Sequence, residues 1–294
     1  MKGLKSNTLG AVWKWFVEHI SLNYNELEAR AIGRLVFECY LNISATDFAL
    51  NRDIRISESK IIELWRVLKQ LNNDVPVQYI TGQAFFRELV LEVNNNVLIP
   101  RSETEELVEW VVEDFSEMGH NPNRSLQLWD IGTGSGAIAI SLAKELKDSR
   151  VFASDINQEA LEVARKNAER NQTSVDLWLH DILKDPVPEK SFNCIVSNPP
   201  YVRESEKAFM QKNVLDYEPH QALFVSDNDP LLYYSSIVSA AKATLTPTGA
   251  LYVEINESLG SETAKLFGQN GFLAVEIRKD IHGKERMVKG KLMG

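Results

Sequence analysis

Asn198-Pro199-Pro200-Tyr201 ends the apolar run Cys194-Ile195-Val196-Ser197, and its residue types are suited to holding a flat nitrogen group. Two consecutive prolines fix φ twice and remove two backbone donors. Pro199 also pushes Asn198 towards an extended conformation. A stiff loop at the C-terminal end of a strand lies where open α/β sheets bind ligands. The side-chain oxygen of Asn198 and the carbonyl of Pro199 can each accept from one N–H of a planar –NH2 group. The ring of Tyr201 can cover that group's flat face. Such a clamp aims the nitrogen across a cleft.

A second constellation lies upstream. Asp130-Ile131-Gly132-Thr133-Gly134-Ser135-Gly136 follows a short apolar strand and opens a helix. Three glycines allow a tight turn and a close approach of backbone to ligand. The spacing is GxGxG, and no Gly-Lys-Ser/Thr follows, so this is not a phosphate-cradling Walker loop. Asp155 lies 19 residues past Gly136, at the end of the next strand. In doubly wound folds an acid at that distance accepts from both hydroxyls of a ribose. Asp155 can equally cap the helix that begins near Asn157. Asp181, after the third strand, can accept from an exocyclic amine, with Ile182 or Leu183 over a purine face; its alternative is a solvated loop carboxylate.

The elements that position these residues follow from hydrophobic spacing. From Leu126 onward short apolar strands alternate with helices, which argues for a parallel sheet covered on both faces. Phe272–Ile277 and Arg286–Val288 are expected to close the chain as an antiparallel pair around Asp280–Gly283. The first ~75 residues read as all-helical. Val12, Trp13, Phe16, Val17 and Ile20 share a face, a second helix starts near Asn25, and Ser57 caps a third. The expected domains are 1–75, a β-hairpin linker over 76–100 with its turn at Asn94–Asn96, and 101–294. Ser102 and Glu105 have capping-box spacing at the start of the next helix.

The 294 residues are 44% hydrophobic with a net charge of −9, which excludes a mainly disordered chain. Residues 1–80 carry ten Lys and Arg against nine Asp and Glu, which leaves −10 on the remainder. That balance weighs against a long grip on phosphate backbone. Cys39 and Cys194 cannot form a disulfide framework or a four-thiolate site. Cys194 reads as a buried strand residue. His19, His120, His180, His220 and His282 show no ligand spacing, so no metal is expected. No apolar run reaches the ~18 residues of a membrane span, and the chain reads as soluble and cytoplasmic.

Together these segments resemble a class I S-adenosylmethionine-dependent methyltransferase. The Asn-Pro-Pro-Tyr tetrapeptide is shared by families that methylate planar nitrogens. Pro76-Val77-Gln78-Tyr79-Ile80-Thr81-Gly82 with Phe85, Val97 to Glu105, Glu218-Pro219 with Ala222-Leu223, and Gly283 to Val288 resemble the release factor glutamine methyltransferases, the PrmC/HemK family. The resemblance runs from about residue 10 to 290. It implies an α/β fold, a doubly wound, mostly parallel seven-stranded sheet with a small all-helical N-terminal domain. It implies S-adenosylmethionine held by Gly132, Thr133, Gly134, Ser135, Gly136, Asp155, Asp181, Leu183 and Asn198, and leaving as S-adenosylhomocysteine. Asn198, Pro199 and Tyr201 would be catalytic, and Pro200 would join them in binding substrate. The substrate implied is the glutamine of the Gly-Gly-Gln loop of release factors, with the helical domain binding that partner. Ser102, Asn228-Asp229-Pro230 and Asn256 depart from the family pattern. Two rival readings share parts of this set: a nucleic-acid amino methyltransferase, such as an adenine N6 enzyme, and a non-catalytic cofactor-binding scaffold.

Overall fold

The computed structural model describes residues 3–20, 24–116 and 125–292. The chain divides into two compact units, one of residues up to Gln83 together with Gln211–Tyr217, the other of Ala84–Met210 and Glu218 onward.

The first unit is helical. It comprises α1 (Leu9–His19), α2 (Glu26–Leu41), α3 (Ala45–Leu50), α4 (Glu58–Leu71) and α5 (Val77–Thr81). The side chains of Asn25 and Ser57 accept from Glu28 N and Lys60 N and cap α2 and α4. Leu9, Val12, Phe16, Val36, Phe37, Leu64 and Leu71 form the core. Leu9, Val12 and Phe16 in α1, Ala29, Ile32 and Val36 in α2, and Ile61, Leu64, Leu68 and Leu71 in α4 recur three and four apart, which turns one face of each helix inward.

In the second unit, β1 (Gln83–Phe86) and β2 (Leu89–Glu92) form a two-stranded hairpin. There follow α6 (Ser102–Phe115), β3 (Leu126–Ile131), α7 (Ala137–Glu145), β4 (Ser149–Asp155), α8 (Gln158–Arg170), β5 (Val175–Leu179), β6 (Phe192–Ser197) and β7 (Val202–Arg203). The chain then gives one short helix, α9 (Lys212–Tyr217), to the first unit, where Tyr217 Oη donates to Asn73 O at 2.7 Å. It resumes with β8 (Phe224–Val225), α10 (Leu232–Thr244), β9 (Leu245–Glu254), α11 (Gly260–Gln269), β10 (Phe272–Lys279) and β11 (Glu285–Leu292).

The main sheet has seven strands in the order β10-β11-β9-β6-β3-β4-β5. β5, β4, β3, β6 and β9 are parallel, and β11 runs antiparallel between β9 and β10. Alternate side chains point to opposite faces. Leu128, Val151, Cys194, Val196 and Tyr252 pack under α6, α7 and the hairpin, whereas Trp129, Ile131, Phe152, Ile195 and Val253 pack under α10 and α11. Among the described residues, no helix is long and apolar enough to cross a membrane.

Two local expectations are corrected. The stretch read as a hairpin over 76–100 is split: Val77–Thr81 is helical, and Phe86, Leu89 and Leu91 are buried in the second unit's core. The turn falls at Arg87-Glu88, not at Asn94–Asn96, and Val97–Ile99 is not a strand. Arg87 takes a left-handed φ of 50°, costly for a residue with a Cβ. Its backbone N donates to Glu105 Oε1 at 2.8 Å, and its guanidinium meets Glu145 at 2.7 Å and Glu109 at 2.6 Å. Glu105 is thereby drawn away from the predicted capping box. Arg101 is the cap residue of α6 without a side-chain cap, and Ser102 bonds Glu103 instead.

Candidate active site

The strand order reverses between β3 and β6, because β4 and β5 extend the sheet on one side of β3 and β6 begins the other. Ligands of open α/β sheets bind beyond the strand ends at such a switch point. The glycine loop leaves β3 and the Asn198–Tyr201 loop leaves β6, so both open there. Ser197 Oγ donates to Ile131 O at 2.7 Å and ties the two strand ends together.

The glycine loop is held from below. Gly132 N and Thr133 N both donate to Ser154 O at 2.9 Å. Thr133 Oγ1 donates to Asp130 Oδ2 at 2.7 Å, and Ala139 N, in the first turn of α7, donates to the same oxygen at 3.2 Å. Asp130 is fully buried, and that burial pushes its carboxyl up to about 7. The buried Asn167 donates to Ser135 O and Glu92 O and accepts from Glu92 N, so it fastens the loop to β2 and α8. Gly132 and Gly134 have φ of +75° and +53°, and a Cβ on either would meet nothing within 4 Å.

The loop forms one wall of a cavity of about 350 Å³, the size of a small-ligand site. All of Gly132, Thr133, Gly134, Ser135, Asp155, Asp181, Leu183, Asn198, Pro199 and Pro200 line it. Gly136 and Tyr201 do not. Gly136 turns the chain into α7, and Tyr201 packs beside the α10 and α11 core.

Asp155 accepts from Gly134 N at 2.8 Å and from Asn157 N at 2.9 Å. Burial raises its carboxyl, and these two donors together with Ile156 N oppose the rise. Asn157, not Asp155, caps α8, by accepting from Glu159 N. Asp181 is tied to its own loop. The bond from Lys184 Nζ at 2.8 Å lowers its carboxyl most, and Leu183 N donates to it at 2.9 Å.

Asn198 is half-buried at the cavity wall. Its Nδ2 donates to Thr104 Oγ1 at 3.0 Å, Thr104 Oγ1 donates to Glu254 Oε2 at 2.6 Å, and Tyr201 Oη donates to Glu254 Oε1 at 2.8 Å. Neither Asn198 Oδ1 nor the Pro199 carbonyl accepts a hydrogen bond from any described residue. Burial, then the neighbouring Glu254, holds the Tyr201 hydroxyl well above its usual range, so it is a standing donor. Cys194 is fully buried, and burial pushes its thiol well up. Thiolate chemistry is thereby denied to it.

Several contributors were not legible in the sequence. Glu254 ends an apolar strand at the ligand-binding end of the sheet, and an acid there was the available signal. Thr104 lies within the resembling Val97–Glu105 segment without standing out in it. Glu218, buried, accepts from Ile99 N at 3.1 Å and Arg101 Nη2 at 2.6 Å and pins the segment over the cavity. Asn256, one of the departures from the family pattern, donates to Tyr201 O at 3.2 Å and Glu206 Oε2 at 2.8 Å and braces the end of the Asn198–Tyr201 loop. His120 lies outside the described residues, and among those described no group of three or more His, Cys, Asp or Glu is placed to hold a metal.

The sheet, with β11 entering antiparallel beside β9, is that of a class I methyltransferase. Residues 113–221 match the methyltransferase small domain and residues 12–82 the PrmC N-terminal domain. A methyltransferase from Pyrococcus furiosus shares the fold with a TM-score of 0.50 at 18% identity, over 71% of this chain and 91% of that one. The release factor glutamine methyltransferase of Flavobacterium psychrophilum is 42% identical over 93% of this chain and 95% of its own length. That of Bacteroides thetaiotaomicron is also 42% identical, over 90% and 93%. Relatives this similar over almost the whole of both chains place the protein in the release factor glutamine methyltransferase family.

Proposed function

We propose that this chain transfers a methyl group from S-adenosylmethionine to the side-chain amide nitrogen of the glutamine in the Gly-Gly-Gln loop of peptide-chain release factors, in the cytoplasm. The observation that carries the reading is the pair of unpaired acceptors, Asn198 Oδ1 and Pro199 O, on neighbouring residues at the switch point.

The residues present fit the cofactor. Open space at the Cβ positions of Gly132 and Gly134 leaves room for a ligand against the backbone. Beyond the bonds from Gly134, Asn157 and Ile156, the Asp155 carboxylate keeps acceptor capacity for a ribose hydroxyl. Asp181 and Leu183 stand in the same cavity for the base. When bound, S-adenosylmethionine supplies an electrophilic methyl on its sulfonium and leaves as S-adenosylhomocysteine.

A carboxamide nitrogen is a weak nucleophile because its lone pair is shared with the carbonyl. What the protein must supply is therefore orientation and electrostatics. Asn198 Oδ1 and Pro199 O take the two amide hydrogens and face the nitrogen into the cavity, with Pro200 keeping the loop stiff. As positive charge grows on the nitrogen, both acceptor bonds strengthen, which favours the transition state over the ground state. Tyr201 anchors the loop through its bond to Glu254. The nitrogen loses its proton readily after transfer, so no general base is assigned.

The helical unit is the proposed recognition surface for the release factor. A methyl-transfer assay with labelled cofactor tests the whole reading. Release factor should be labelled, whereas a Gln→Ala variant of its Gly-Gly-Gln loop and duplex DNA should not. Labelling of DNA would favour a nucleic-acid enzyme, and labelling of nothing a scaffold.

A further inference from the structure

Asn198 can serve as an acceptor only in one of its two amide orientations. Turned by 180° about its last bond, it would offer –NH2 to a substrate that itself brings –NH2, and the substrate would keep only the Pro199 carbonyl as an acceptor. The direction is decided two residues away. Glu254 is 1% exposed, and its side chain takes one hydroxyl on each oxygen, Thr104 at 2.6 Å and Tyr201 at 2.8 Å. A threonine hydroxyl has a single proton, and Thr104 gives it to Glu254. Towards Asn198 the same oxygen can then only accept, so the Asn198 group facing it must be Nδ2, as found at 3.0 Å. Oδ1 is left facing the cavity.

We propose that Thr104 and Glu254 are positioning residues that lock Asn198 into its acceptor-outward orientation, and so make the clamp selective for substrates that bring an –NH2 group. This rests on the proposed function for its substrate, but not for the lock itself. Thr104 is well placed for such a role, being 4% exposed, in the first turn of α6, beneath the loop that leaves β6. Tyr201 fills the second oxygen of Glu254, so that carboxylate has one free partner choice fewer and its Thr104 side is held.

The test compares Thr104→Val, which keeps the shape and removes the hydroxyl, with Thr104→Ser, which restores it. Two readouts are taken on the full chain. One is steady-state methyl transfer to release factor. The other is water exchange of the Asn198 side-chain amide protons by NMR of 15N-asparagine-labelled protein, the signal identified by its loss in Asn198→Ala. The lock predicts that Thr104→Val lowers kcat about 10- to 100-fold, the cost of a misaimed reacting group. KM for S-adenosylmethionine should stay near wild type, and the Asn198 protons should exchange faster. Thr104→Ser should recover both. Thr104→Val with unchanged exchange, or Thr104→Ser no better than Thr104→Val, would overturn the proposal. If wild-type protein labels no release factor, the glutamine reading fails, and the exchange comparison still decides the lock. Should Thr104→Val melt early, Glu254→Gln replaces it. The glutamine can offer Thr104 an –NH2 in place of an acceptor, and faster Asn198 exchange is again expected.

Discussion

The oxygen of Asn198 is the atom on which the proposed reaction turns. Asn198→Ala removes one of two acceptors aimed at the developing charge, and losing one such preorganised partner costs about 10²–10³-fold in kcat. Affinity for S-adenosylmethionine, measured by calorimetry, should change far less. Equal losses in both would refute a positioning role. Asp130 sets a different kind of expectation. Its carboxyl titrates at about 7 in the folded chain against 3.8 as the ordinary value. Between those values the folded state holds a proton that the unfolded state has lost. Its contribution to stability is therefore full below about 3.8. It is lost as pH rises through about 7 and is level above. Asp130→Asn has no proton to lose, so the urea midpoint of the variant should gain on wild type as pH rises across that window. Parallel midpoints would show that Asp130 is not buried as described. The residue types at both positions were legible in the sequence. The orientation of one and the burial of the other were not, since each depends on packing: Asn198 on Thr104 and Glu254, far along the chain, and Asp130 on the strands and helices that cover it.

Gly136 shows how an element's start is decided. It has a φ of +84°, and a Cβ there would stand 2.8 Å from Ile140 Cδ1 and 3.2 Å from Ala164 Cβ. Backbone strain and the clash with α8 act together, so Gly136→Ala should cost about 1–3 kcal/mol in urea unfolding. A variant as stable as wild type would mean that α7 and α8 move apart without penalty. The parallel strands were readable because each is a short apolar run whose alternate residues serve two covered faces. Helices α2 and α4 were readable from Asn25 and Ser57, since a cap bonds within its own first turn. The hairpin turn and the start of α6 were misread for a single reason. Arg87 and Glu105 are 18 residues apart, yet bond to each other, and that bond supports a strained turn and removes the predicted cap. Local rules yield where a distant carboxylate satisfies the backbone better.

At the scale of the whole molecule the two units divide the proposed work. The second unit has its own core, sheet and cavity. A chain lacking residues 1–83 should keep most of its affinity for S-adenosylmethionine, while kcat/KM for release factor falls at least about tenfold, the loss of ~1.4 kcal/mol of binding. Unchanged kcat/KM would remove the helical unit from substrate recognition. Net charge belongs to this scale too: the −10 carried beyond residue 80 suits an acceptor on a protein better than a duplex. What the sequence by itself determined is the class of fold, the glycine loop, the stiff Asn198–Tyr201 loop and the family. Each is written in short-range terms, in apolar period, proline and glycine geometry, and local spacing. Only the tertiary structure decided which way the Asn198 amide faces, how Asn256 braces Tyr201, and that Gln211–Tyr217 joins the helical unit. Those outcomes depend on which polar groups meet after residues roughly 50 to 150 positions apart are packed together, and buried polar groups take whichever partner the packing leaves them.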